Sequence, residues 1–135
     1  MGEAQLDLLE RMLARLDRYE TTITRERLES DVDAWLMVSR ALELVAQCAV
    51  DLAMQIVAKR GLGTPETYRD AFVRLAQDGV LTAEHGAALQ GWAGLRNVLA
   101  HLYTSIDLDR LYAAMTGDKT AVREFGRTAA RELSD

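Results

Sequence analysis

Leu42-Glu43-Leu44-Val45-Ala46-Gln47-Cys48-Ala49-Val50-Asp51-Leu52-Ala53-Met54-Gln55-Ile56 decides the fold. Leu42, Val45, Ala49, Leu52 and Ile56 recur at spacings of three and four, the period of one face of an α-helix. Leu36, Leu44, Cys48, Ala53 and Val57 widen that stripe beyond a single face, so the segment reads as a central helix touching neighbours on two sides. Its start falls between Arg25 and Asp31 and its end at about Arg60. Lys59 and Arg60 complement the negative end of the helix dipole, and Gly61 supplies the left-handed cap that follows. Cys48, inside the stripe, reads as a small core residue.

Outward from Gly61, Gly61-Leu62-Gly63-Thr64-Pro65 is the turn-rich spot. No strand precedes it and no third glycine or Lys-Ser/Thr follows, so it does not read as a phosphate loop. Thr64 is expected to cap a third helix, with Pro65 as its first residue. That helix covers about Glu66 to Ala76, with Tyr68, Phe72 and Leu75 on one side, and Asp78-Gly79 ends it. Thr82 caps a fourth helix running from about Ala83 into the stretch 96–103. Gly86, Gly91 and Gly94 weaken this helix by about 1 kcal/mol each relative to alanine. They predict close approach to another backbone, within the fold or across a dimer. After a turn at Ile106-Asp107, Leu108–Met115 and Lys119–Leu133 read as two further helices broken at Gly117, with Asp107 and Asp118 as caps. In the other direction, Leu6, Leu9, Leu13 and Leu16 mark a first helix from about Glu3 to Tyr19, interrupted by the β-branched run Thr21-Thr22-Ile23-Thr24. No stretch alternates with period two. The expected fold is all-α, a bundle of four to five main helices in one domain spanning 1–135.

Composition narrows the function. The 135 residues are 49% hydrophobic, with one proline, one cysteine and a formal net charge of −5. That charge argues against gripping long nucleic acid through a broad basic surface, but leaves room for a local basic cleft. A single cysteine permits no intramolecular disulfide, as expected in a reducing compartment. Met1–Leu9 carries Glu3 and Asp7 and does not read as a signal peptide, and Leu6 breaks the myristoylation pattern. No segment reads as the ~18 apolar residues of a membrane span. The expected location is the cytoplasm.

One stretch concentrates polar chemistry: Arg96-Asn97-Val98-Leu99-Ala100-His101-Leu102-Tyr103. Asn97 and His101 stack on one helical face, as do Arg96 and Tyr103. Arg96 and His101 lie about 140° apart around the axis, so joint action requires a deformed helix or a second copy of the chain. One histidine without Cys, Asp or Glu at ligand spacing makes a poor metal site, and His85 is too far along to help. No serine or cysteine is marked as a nucleophile. Phosphodiester cleavage of RNA fits better, because RNA carries its own nucleophile, the 2′-hydroxyl. A histidine can move the proton near neutral pH and an arginine can stabilise the phosphorane-like transition state, with no metal or other cofactor. Asn97 can donate to a phosphate oxygen or orient the imidazole; Tyr103 can bond a phosphate or stack on a base. The same residues also admit a structural reading, with Arg96 a surface cation, His101 a core or capping residue and Tyr103 an anchor of the helix end. His85 reads as structural, and Trp35 and Trp92 as core.

Arg96 to Tyr103 matches the pattern R-x-x-x-x-H-x-Y, and the chain resembles the HepT-like toxins of the HEPN superfamily. The likeness extends to Gly61–Asp70, to Gly79-Val80-Leu81, to Trp92–His101, and to Ile106-Asp107 and Tyr112, and covers about Leu6 to Leu133. Leu102 stands where such proteins often carry a charged or polar residue. The resemblance implies a metal-independent RNA endonuclease acting as the toxin of a toxin–antitoxin pair. It implies a homodimer with a composite cleft, in which Arg96, Asn97 and His101 are catalytic. It also implies an antitoxin of the MntA type, a minimal nucleotidyltransferase that transfers AMP to the motif tyrosine, here Tyr103. Bulk and phosphate charge beside Arg96 and His101 would then block RNA. Two other readings stay open: a non-catalytic partner or binding module of a nucleotidyltransferase, and a purely structural helical dimer.

Overall fold

A computed structural model of the chain describes residues 1–99 and 107–134. Among them are seven helices: α1 (Glu3–Thr22), α2 (Arg25–Ser30), α3 (Val32–Arg60), α4 (Tyr68–Gln77), α5 (Ala83–Leu99), α6 (Leu108–Thr116) and α7 (Thr120–Leu133). All other helices pack on α3, whose 29 residues span about 44 Å. Leu42, Val45, Ala46, Ala49, Leu52, Ala53 and Ile56 are fully buried along it. By length and composition α3 would pass for a membrane span, with a mean hydropathy of 1.5 over its most apolar window. The expectation that no segment comes near that threshold is therefore corrected. The apolarity belongs to a core helix, since 61% of that window is buried inside the bundle.

The boundaries follow from local chemistry. Gly61 ends α3 at φ 66°, its N–H donating to Ala58 O and Val57 O. Asp31 begins it by accepting from the N–H groups of Asp33 and Ala34, and also terminates α2. The chain between Thr24 and Asp31, left open by the sequence, is thus a separate short helix. Helix α1 runs three residues past Tyr19, because Thr21 and Thr22 both donate their hydroxyls to Arg18 O. Ile23 then leaves the helix and buries its side chain.

The start of α4 is a correction. Thr67, not Thr64, is the cap: its Oγ1 accepts from Asp70 N at 3.0 Å, and Asp70 Oδ2 accepts from Glu66 N at 3.0 Å. Pro65 lies before the helix rather than at its first position. Thr82 caps α5 as expected, accepting from His85 N. Asp107 caps α6 by accepting from Arg110 N, and Asp118 accepts from Thr120 N two residues ahead of the start of α7, whose N-cap position is Lys119 rather than the expected Asp118.

Two of the three α5 glycines mark close packing inside the fold. A Cβ on Gly86 would lie 3.1 Å from Ala76 Cβ and 3.5 Å from Phe72 O on α4, and one on Gly94 would run into the Arg69 guanidinium. Gly91 faces open space. Behind this α4–α5 pair, Phe72 meets Phe125 of α7 edge-on, ring centres 5.5 Å apart. His85 Nε2 donates to Ala121 O at 2.7 Å and ties α5 to α7, the structural role expected of it. Trp35 and Trp92 are half-buried and pack against the core. Lys59 does more than face a helix dipole: its Nζ donates to Glu132 O and Ser134 O, and Arg60 pairs with Asp78 and Glu132.

Candidate functional site

Helix α5 packs on α3 and α4, and Arg96 and Asn97 lie in its last turn. Leu95 and Leu99 are buried, whereas Arg96 is half-buried and Asn97 exposed. The two polar side chains therefore emerge beside a fixed apolar anchor.

Arg96 is held from two directions. Its Nε donates to Gln47 Oε1 of α3 at 2.7 Å, and its guanidinium carbon lies 5.1 Å from the centre of the Tyr68 ring at the start of α4. A guanidinium over an aromatic face is attracted by the ring quadrupole. Gln47 is itself fixed, because its Nε2 donates to Asp51 Oδ1, one turn further along α3, at 2.8 Å. One turn in the other direction Glu43 pairs with Arg40.

Two clefts flank this arrangement. One, of about 300 Å³, is lined by Met54, Pro65, Glu66, Thr67, Tyr68 and Asn97. The other, of about 320 Å³, is lined by Arg40, Glu43, Leu44, Gln47 and Arg96. A further depression between α1 and α7 holds none of the four candidate site residues Arg96, Asn97, His101 and Tyr103. His101 and Tyr103 lie outside the described residues. No three His, Cys, Asp or Glu side chains among the described residues converge as a metal-ligand set. Cys48 is buried, and desolvation, then the charge of Asp51, push its thiol up to about 11.

The sequence pointed to Arg96 and Asn97 but missed Gln47, Asp51 and Tyr68. A signal for the first two was present: Glu43, Gln47, Asp51 and Gln55 are polar residues spaced by four along an otherwise apolar helix. On a core helix such a row needs a polar neighbour. Tyr68 carried no comparable signal, since its spacing with Phe72 and Leu75 reads equally well as core.

This geometry suits an anion. With Nε occupied by Gln47, the planar Nη1–Nη2 edge is left to pair with two oxygens of an anion such as a phosphate.

Comparison with known proteins agrees with the all-α fold and with the family resemblance. The family model described as ribonuclease HepT-like matches residues 9–129. A tRNA nuclease HepT from Aphanizomenon flos-aquae is 32% identical over 114 residues, covering 84% of this chain and 77% of that one. An mRNA nuclease HepT from Shewanella oneidensis is 34% identical over 68 residues, about half of each chain. Among solved structures, a tri-AMPylated Shewanella oneidensis HEPN toxin in complex with its MNT antitoxin superposes with a TM-score of 0.81 at 22% identity, over 94% of both chains.

Proposed function

This chain belongs to the ribonuclease HepT-like family, and on that premise we propose that it is the RNA-cleaving toxin of a toxin–antitoxin pair. Residues 1–135 form its single HepT-like domain, acting in the cytoplasm. The observation that carries the reading is the family match over residues 9–129, which takes in Arg96, Asn97, His101 and Tyr103 together. The anchored Arg96 supports it, since the half-buried cation is oriented rather than left to sample solvent.

The chemistry needs no metal. The 2′-hydroxyl oxygen attacks the adjacent phosphorus, the bond from phosphorus to the 5′-oxygen breaks, and a 2′,3′-cyclic phosphate and a 5′-hydroxyl end result. His101 moves the proton, and Arg96 holds the non-bridging oxygens as charge builds on them. Asn97 adds a neutral donor to the same phosphate. In a homodimer the cleft is composite: one imidazole accepts the 2′-hydroxyl proton, and the partner's His101 returns one to the leaving oxygen. This also answers the angular separation that the five-residue spacing of Arg96 and His101 predicts.

A nucleotidyltransferase antitoxin silences the site by placing AMP on Tyr103. The HEPN toxin of Shewanella oneidensis, similar in fold, is AMPylated and bound to an MNT antitoxin. That likeness also suits the second reading, a non-catalytic partner of such a transferase.

One experiment separates the two. The chain is purified with and without a co-expressed MNT-type nucleotidyltransferase, its intact mass is measured, and each form is incubated with tRNA and mRNA in the presence of EDTA. The expected result is cleavage by the unmodified chain, a gain of one or more AMP units at Tyr103 with the transferase, and loss of cleavage in that form. Arg96→Ala and His101→Ala should each abolish cleavage while keeping the native helical spectrum. Cleavage retained by purified His101→Ala would sink the mechanism. Modification and binding without any cleavage would establish the non-catalytic reading instead.

A further inference from the structure

Gln47 lies 49 residues before Arg96, on a different helix, yet it makes the hydrogen bond that sets the direction of the guanidinium. The bond runs to Nε, the one guanidinium nitrogen inside the side-chain stem. A partner there restrains rotation about the last side-chain torsions and leaves both Nη groups without a hydrogen-bond partner among the described residues.

The identity of the acceptor matters as much as its place. Two carboxylates flank Gln47 by one turn each on α3, and neither bonds Arg96: Glu43 pairs with Arg40, and Asp51 accepts from Gln47. Either in direct contact would cancel much of the cation that an RNA phosphate requires. A neutral amide orients Arg96 without that cost. Asp51 also decides which end of the amide faces Arg96. An ionised carboxylate only accepts, so it takes the Gln47 NH₂, and the Gln47 oxygen is turned to the arginine. Tyr68 closes the arrangement with its ring centre 5.1 Å from the guanidinium carbon, within cation–π reach.

We infer that Gln47, locked by Asp51, is a positioning residue that turns the Nη edge of Arg96 toward the scissile phosphate, with the Tyr68 ring as its floor. The inference rests on the nuclease reading for its consequence in catalysis, but the Arg96–Gln47 bond can be tested without it.

The test is a double-substitution cycle with separate kcat and KM on the RNA cleaved by the native chain, together with exchange of the Arg96 Nε–H followed by ¹⁵N NMR. Losing a hydrogen bond to a charged group should lower kcat of Gln47→Leu by about tenfold to a hundredfold, with KM changed by less than about threefold. Asp51→Asn should fall between this variant and the native chain, because its amide no longer dictates the orientation of Gln47. In an Arg96→Lys background the acceptor at Gln47 has no Nε–H to receive, so Gln47→Leu should cost nothing further. The Nε–H should exchange slowly in the native chain and fast in Gln47→Leu.

A residue that merely supports the fold would lower both backgrounds alike, and that result would overturn the inference. So would a native kcat in Gln47→Leu, or fast Nε–H exchange in the native chain. If Arg96→Lys leaves no measurable cleavage, the exchange rate decides. Absence of cleavage by the native chain would defeat the nuclease reading, while slow exchange abolished by Gln47→Leu would still establish the clamp.

Discussion

Replacing Gly91 by alanine should stabilise this protein, and the reasoning separates it from its two neighbours on α5. Gly91 sits in the interior of a 17-residue helix, is exposed, and has nothing within 4 Å of where a Cβ would stand. Only the intrinsic preference acts there, so Gly91→Ala should gain about 0.5–1 kcal/mol, or about 2–4 °C in Tm for a chain of this size. Gly86→Ala has the same intrinsic gain, but its Cβ would sit 3.1 Å from Ala76 Cβ. That atom is fixed to the α4 backbone and cannot rotate away. Prying α4 from α5 should cost about 1–3 kcal/mol, leaving the variant level with or below the parent. Gly94→Ala should fall between them, because the Arg69 guanidinium it meets is the end of a flexible side chain. The assay is urea denaturation of the three variants at several protein concentrations, with sedimentation of the same samples. Gly86→Ala proving more stable than Gly91→Ala would refute the packing argument. A Gly91→Ala chain that sediments as a smaller species than the parent, with its stability gain lost, would show that a second copy occupies the space beside Gly91.

Two further outcomes follow from protonation. Cys48, its thiol raised to about 11 by burial and then by Asp51, should not react with a disulfide reagent at pH 8 until the chain is unfolded; rapid stoichiometric labelling of native protein would contradict its burial. Three capping carboxylates lie below the usual range: Asp31 through Arg27 and the Ala34 N–H, Asp70 through the Glu66 N–H and Arg74, and Asp118 through the Thr120 hydroxyl and N–H. A depressed folded carboxylate contributes stability above its unfolded pKa of about 4 and loses it as pH falls through the folded value. Urea midpoints should therefore drop from pH 5 to pH 3, and drop less in a chain carrying Asn at all three positions; an unchanged slope would mean that other groups govern the acid limb.

What could be read from the sequence was whatever repeats or acts locally. The apolar stripe of α3, the glycine cap at Gly61 and the aspartate at the start of α6 all follow from neighbours within about four residues, and the structure places them as expected. The start of α4 was misread because two threonines compete. Thr64-Pro65 looks like a helix entry, yet Thr67-x-x-Asp70 forms the reciprocal pair with the backbone, and that pair wins. The candidate site was legible only along its own helix. Arg96 and Asn97 stood out, but Gln47 and Tyr68 meet Arg96 through the crossing of α3, α4 and α5, and no local spacing encodes a crossing.

The central helix has one more consequence, for how such a chain can change over time. Gln47 lies between buried Ala46 and Cys48, so the residue that aims Arg96 and the residues that fill the core share one rigid screw. Inserting or deleting a single residue between Gln47 and Ile56 would turn one half by about 100° against the other. Either the amide would leave Arg96 or the apolar stripe would leave the core. Point replacement within this helix leaves that register intact, whereas gain or loss of residues is confined to its ends.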